Sequence, residues 1–168
     1  GGLKVERLLR LLDAATVRVA VDSEANCRQL SELASAAGKT LGCLVEVEIG
    51  MKRCGVLPDE PCLEMARLID SLPGLRFDGL QGFEGHTVLL EDDEERIAAT
   101  RQSMELLTGT GRHIEQHGLP VAIISGGGTG TYDVSGVLEG MDEIQAGTYP
   151  TMDWRYQSVR PEFEIALS

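Results

Sequence analysis

Val121-Ala122-Ile123-Ile124-Ser125-Gly126-Gly127-Gly128-Thr129-Gly130-Thr131-Tyr132 is a short apolar run that breaks into glycines and threonines. The apolar part reads as a buried strand. Glycines after a strand let backbone N–H groups approach an oxyanion closely, and threonine hydroxyls add donors. A second tight turn, Gly147-Thr148-Tyr149, follows another strand-like run, Glu143-Ile144-Gln145-Ala146. Flexible connection is the bland reading of one such loop. Two turns at neighbouring strand ends instead predict a cup for one phosphate dianion. The loop is not a Walker A motif, because the G-x-x-x-x-G-K-[ST] order is absent. It is not a dinucleotide fingerprint either, having other spacing and a late place in the chain.

Outward from this loop, short apolar runs alternate with amphipathic segments. Strands are expected at Val17 to Val21, Leu44 to Ile49, Leu75 to Leu80 and Val121 to Ile124. Helices are expected between them. One is capped by Ser23, carries Cys27, Leu30, Ala34 and Ala37 on one face, and stops at Gly38. A second is capped by Asp59, with Pro61 in its first turn and Met65, Ile69 and Leu72 inward. A third runs from Asp92 to His117 with Ile97, Met104, Leu107 and Ile114 in register, its acidic start suiting the helix dipole. Leu3 to Ala14 reads as a helix through Val5, Leu8, Leu9 and Leu12.

Strand–helix units without hairpin signals mean a parallel sheet with helices outside. An open doubly wound sheet and a TIM-type (β/α)8 barrel share that grammar. The barrel is favoured, because functional residues end several strands and the last strand–helix loops form the phosphate site. Five or six strand candidates make a partial barrel over residues 1–160, beginning with a helix rather than a strand; Glu162 to Leu167 reads as the start of a further strand.

Composition narrows the partners. The 168 residues carry 27 acidic and 15 basic side chains, a formal charge of -12, which repels nucleic acid and anionic membranes. No apolar run approaches the roughly 20 residues that span a bilayer, and no signal peptide is visible. Cys27, Cys43, Cys54 and Cys62 match no zinc spacing. Reduced thiols and a cytoplasmic protein are expected.

Two strand ends carry chemistry. Gly50-Met51-Lys52-Arg53-Cys54-Gly55-Val56 puts Arg53 at the mouth, where it holds an anionic oxygen or ring hydroxyl, or else a surface ion pair. Gln81-Gly82-Phe83-Glu84-Gly85-His86 places Gln81, Glu84 and His86 near one cavity, with His86 as the general base candidate or a bystander.

Together these segments resemble the fold-type III pyridoxal-phosphate enzymes of the D-threonine aldolase and D-serine dehydratase-like group, with an alanine racemase N-terminal-like barrel. The likeness rests on Ala20 to Ser23, Val45 to Met51 running into Arg53 to Val56, Leu75 to His86, Ser125 to Tyr132, and Glu143 to Tyr149 with Met152, Asp153 and Tyr156. It implies pyridoxal 5′-phosphate as cofactor, with Gly128, Thr129, Gly130, Thr131, Gly147 and Thr148 at its phosphate. Arg53 would approach its ring oxygen, Gln81 and Asp153 would line its pocket, and His86 would be the active-site histidine. A divalent metal, Mn or Mg, would orient the substrate hydroxyl. The intact parent would be a homodimer acting on a small D-amino acid.

The resemblance also implies that the Schiff-base lysine lies on a strand before residue 1. The metal ligands would lie in a C-terminal β-domain that starts at residues 161–168. The sequence offers Lys4, Lys39 and Lys52, of which Lys52 alone is at the rim. Two functions are therefore expected: a segment of a lyase cleaving β-hydroxy-D-amino acids to glycine and an aldehyde, inactive alone, with dehydratase or racemase chemistry as alternative; or a non-catalytic module binding a phosphate ligand.

Overall fold

The computed structural model describes residues 2–166. Five strands, β1 (Arg18–Val21), β2 (Leu41–Glu46), β3 (Leu75–Gln81), β4 (Ile123–Gly126) and β5 (Glu143–Ile144), form one sheet in the order of the chain. Every neighbouring pair is parallel. Sequential order without reversal is the arrangement of a barrel wall; an open doubly wound sheet reverses at a switch point. The helices are α1 (Gly2–Leu11), α2 (Glu24–Ala36), α3 (Glu60–Ser71), α4 (Asp93–Gln116), α5 (Tyr132–Ser135) and α6 (Trp154–Val159).

Alternation sorts the sheet into two faces. Val21, Leu41, Cys43, Val45, Leu75, Phe77, Leu80 and Ile124 share one core with Cys27, Leu30, Ala34, Leu63, Ile69, Met104, Leu107 and Ile114 of the helices. Burying each such side chain contributes roughly 1.5–3 kcal/mol. The opposite face is the inner wall, where polar residues stand among Ala20 and the buried Leu44. It carries Arg18, Glu46, Asp78, Gln81 and Ser125.

A bulge decides which residues reach that wall. Cys43 pairs with Phe77, but Leu44 pairs with Gly79, so Asp78 is an extra residue in β3. The alternation is reset there: Leu80 joins the helix-side core, and Gln81 lies opposite Glu46 on the inner face. Asp78 itself turns inward near the start of the strands. It accepts hydrogen bonds from Arg18 Nε (2.8 Å) and Arg76 Nη2 (2.9 Å). Gly42 makes the room, since a Cβ there would fall 2.3 Å from Asp78 Oδ2.

Several local expectations are corrected. β2 begins at Leu41 rather than Leu44 and ends at Glu46; beyond it Val47 makes an isolated bridge to Val56 and donates to the Gln81 carbonyl (2.7 Å). Neither Ser23 nor Asp59 caps its helix through the side chain, whereas Asp92 does, accepting from Glu95 N at 2.8 Å. Ile97 is exposed. Arg96 and Thr100 take the inward positions of that turn, because they meet the polar 84–90 loop: Arg96 Nη1 donates to the Leu90 carbonyl (2.6 Å), and the Thr100 and Thr87 hydroxyls lie 3.1 Å apart. Residues 161–166 form turn and irregular chain rather than the expected strand, and Leu167 lies outside the described residues.

Candidate functional site

The C-terminal ends of the strands form a mouth with three parts. The first is a cavity of about 200 Å³ lined by Ala20, Val21, Asp22, Glu46, Arg53, Cys54 and Gln81. Gln81 Nε2 donates to Glu46 Oε2 at 2.7 Å. Glu46 is buried, and burial raises its pKa, opposed by the Gln81 hydrogen bond and by the charge of Arg53. The Arg53 guanidinium lies 5.7 Å from the centre of the Phe83 ring, a cation–π contact that fixes its direction. Arg53 and Gln81 thus line one cavity, which neither Glu84 nor His86 joins. Glu46 joins them unannounced; its signal was the polar residue within Leu44-Val45-Glu46-Val47.

The second part is the glycine–threonine cup. Thr129 Oγ1 accepts the N–H groups of Thr148 (3.1 Å) and Tyr149 (3.2 Å), which ties the two turns together. Two accepted bonds leave the proton of the buried Thr129 hydroxyl free to donate. The N–H groups of Thr129, Gly130 and Gly147 pair with no acceptor among the described residues. Phe83 joins the two parts, since a Cβ on Gly128 would lie 3.1 Å from its ring.

Thr131 faces the other way. Its N–H donates to the Gly128 carbonyl (3.1 Å), and its hydroxyl donates to Glu84 and accepts from Gly128 N (3.0 Å). Glu84, fully buried, also accepts from Gly127 N at 3.2 Å. Thr131 and Glu84 therefore build the loop rather than line the cup. From the other side Arg160 donates to the Gly130 carbonyl through Nε (2.9 Å) and Nη2 (2.6 Å) and pairs with Asp133. Arg160 was missed, being remote in sequence from the loop it holds. Asp153 caps α6, accepting from Arg155 N (2.9 Å) and Tyr156 N (3.0 Å), and is not among the residues lining the Arg53 cavity.

The third part is a cavity of about 240 Å³ at the rim, lined by Glu48, Ile49, Gly50, His86 and four residues of α4. His86 is exposed there and does not line the Arg53 cavity. Glu48 beside it accepts Gly50 N (2.8 Å) and Lys52 N (2.7 Å). Of the lysines, Lys39 pairs with Asp13, Lys4 lies on α1, and Lys52 is exposed on the rim; none lines the Arg53 cavity. All four thiols are free. Among the described residues, no group of three or more His, Cys, Asp or Glu could hold a metal ion, and no helix is long and apolar enough to cross a membrane.

A parallel wall in sequential order, with two glycine–threonine turns tied together at the ends of β4 and β5, defines the barrel class. Residues 1–153 match the family described as alanine racemase, N-terminal domain, and the chain belongs to that family. It is 34% identical over 156 residues to a D-threonine aldolase of an Arthrobacter species, covering 93% of this chain and 41% of that protein. It is 35% identical over 154 residues to a 3-hydroxy-D-aspartate aldolase of Paracoccus denitrificans (strain Pd 1222), covering 91% and 40%. The crystal structure of D-threonine aldolase from Filomicrobium marinum superposes with a TM-score of 0.92 at 35% identity, over 99% of this chain and 46% of that one. D-threo-3-hydroxyaspartate dehydratase from Delftia sp. HT23 shares the fold, with a TM-score of 0.83 at 22% identity over 95% and 42%. The chain thus spans about two fifths of the length of the curated relatives it matches.

Proposed function

We propose that this chain is the cofactor-binding barrel segment of a pyridoxal-phosphate lyase that cleaves β-hydroxy-D-amino acids to glycine and an aldehyde. The observation that carries the reading is the cup: two turns at adjacent strand ends, tied through Thr129, with Phe83 packed between them and Arg53. The likeness to two aldolases over more than nine tenths of the chain supports it.

The donor set suits a phosphate. Three N–H groups and two hydroxyls would meet a dianion there without an adjacent lysine, so binding would rest on oriented dipoles. Gly128 shapes the loop, Gly130 and Gly147 present N–H groups, and Thr129 and Thr148 add hydroxyls. Arg53 would hold the ring oxygen, with Gln81 against the ring and Glu46 fixing Gln81. When bound, the cofactor supplies the electron sink that lets a bond to the substrate Cα break. His86 is assigned the proton of the substrate β-hydroxyl; it lines the rim cavity beside Glu48, next to that of Arg53 along the 46–53 segment. Among the described residues no cluster of His, Cys, Asp or Glu fits the expected Mn or Mg.

The second reading, a module that binds a phosphate ligand without catalysis, is favoured for the segment itself by one observation: none of its lysines lines the Arg53 cavity. Titration with pyridoxal phosphate, followed by absorbance, tests both. Binding displaced by inorganic phosphate and weakened by Thr129→Ala is expected; pyridoxal binding as tightly as pyridoxal phosphate would remove the cup. Borohydride reduction and peptide mapping then separate the readings, because a lysine adduct contradicts the module. In the full-length protein, glycine and aldehyde from a β-hydroxy-D-amino acid are expected; a 2-oxo acid and ammonia would mark a dehydratase.

A further inference from the structure

The loop between β2 and α3 is closed at its stem. Val56 N donates to the Glu46 carbonyl (2.8 Å) and Glu48 N to the Val56 carbonyl (2.9 Å), so the chain returns beside the point where it left. Within the loop one atom does the organising. Glu48 Oε1 accepts both Gly50 N (2.8 Å) and Lys52 N (2.7 Å). These bonds accompany backbone that the sequence does not favour: Lys52 sits at φ +54°, a left-handed conformation that side-chain-bearing residues avoid. Arg53 comes next and reaches over Phe83 into the cavity with Glu46 and Gln81.

We infer that Glu48 is a positioning residue for Arg53: its Oε1 holds the Lys52 peptide in the left-handed turn that aims the guanidinium into the mouth. Glu48 itself lines the neighbouring rim cavity and not that of Arg53. Its pKa lies below the usual carboxylate range, first through the Lys52 N–H bond, with the Gly50 N–H bond and the charges of Lys52 and His86 adding to it against burial. The carboxylate is therefore a strong acceptor at neutral pH. The functional half of this inference rests on the proposed role of Arg53 at the cofactor.

The test is pyridoxal phosphate affinity of the full chain in five forms. Arg53→Ala is expected to weaken binding about tenfold, the size of one lost charge-assisted contact. Glu48→Ala is expected to weaken it by a similar factor with the melting temperature within a few degrees of wild type. Glu48→Gln keeps an acceptor oxygen while removing the charge, and is expected to bind within about threefold of wild type. Lys52→Gly adopts the left-handed turn without help, so adding it to Glu48→Ala should restore affinity to within about threefold.

Glu48→Ala binding like wild type while Arg53→Ala does not would overturn the inference. So would failure of Lys52→Gly to restore binding, and equal loss in Glu48→Gln and Glu48→Ala would transfer the role to charge. If Arg53→Ala itself binds like wild type, the proposed function falls instead. Ligand-free hydrogen exchange then decides the structural half: the Lys52 N–H should be protected in wild type and Glu48→Gln and exchange fast in Glu48→Ala.

Discussion

The inner face of the sheet carries two polar groups of opposite design. Near the strand starts, Asp78 is enclosed by Arg18 and Arg76, and Gly42 is cut away to admit it. Burial by itself raises the Asp78 pKa, but hydrogen bonds from Arg76 and Arg18 win and hold the carboxyl below its usual range. Near the strand ends, Glu46 is also buried, yet its one bonded partner is the neutral Gln81, and burial leaves its pKa raised. A carboxylate matched by two guanidiniums is a structural element. One facing a cavity with an arginine held by an aromatic ring is available to a ligand. The same sheet thus keeps a charge-matched cluster at one end and a cavity-facing carboxyl at the other.

The strongest way to break this comparison is Asp78→Ala. It strands two guanidiniums against the wall and should cost about 3 kcal/mol, the low end for a broken buried pair because both arginines retain solvent. Urea unfolding would measure it. Arg53→Ala should change that midpoint little while weakening pyridoxal phosphate binding; a larger stability loss at Arg53 than at Asp78 would invert the assignment of the two ends.

Next in size is Glu84→Leu, which leaves Gly127 N and the Thr131 hydroxyl without their buried partner. A loss of about 2 kcal/mol is expected, with weakened phosphate binding, by urea unfolding and phosphate titration. Wild-type phosphate affinity in this variant would show that the cup does not depend on its foundation.

A smaller effect is expected in acid. Asp78 has a depressed folded pKa, so its contribution is present above its unfolded value of about 3.9 and is lost as pH falls through the folded one. Asp78→Asn should flatten the stability–pH curve below about pH 4, and an unchanged slope there would remove the ion pairs from the account.

The mildest probe is thiol labelling. Burial pushes Cys43 and Cys62 up to about 12 and raises Cys27 as well. Cys54 is exposed and lines the Arg53 cavity. Iodoacetamide at neutral pH should modify Cys54 alone, and pyridoxal phosphate should slow that reaction; mass mapping reads both.

The sequence by itself determined the repeated strand–helix grammar, the core faces of α2, α3 and most of α4, and the two glycine–threonine turns. Period, apolar side chains and backbone permissiveness are properties of short stretches, readable without partners. It also put Arg53 and Gln81 at one mouth, because both follow strand ends. The directions of side chains that depend on distant partners were decided by tertiary structure. Ile97 lost its inward place to Arg96 once the 84–90 loop supplied a carbonyl. Thr131 turned to Glu84, more than forty residues away, and Asp153 to its own helix end. Gln81 faces the mouth only because the extra residue at Asp78 reset the alternation of β3. A register shift is a property of two strands together, so no reading of one strand could contain it.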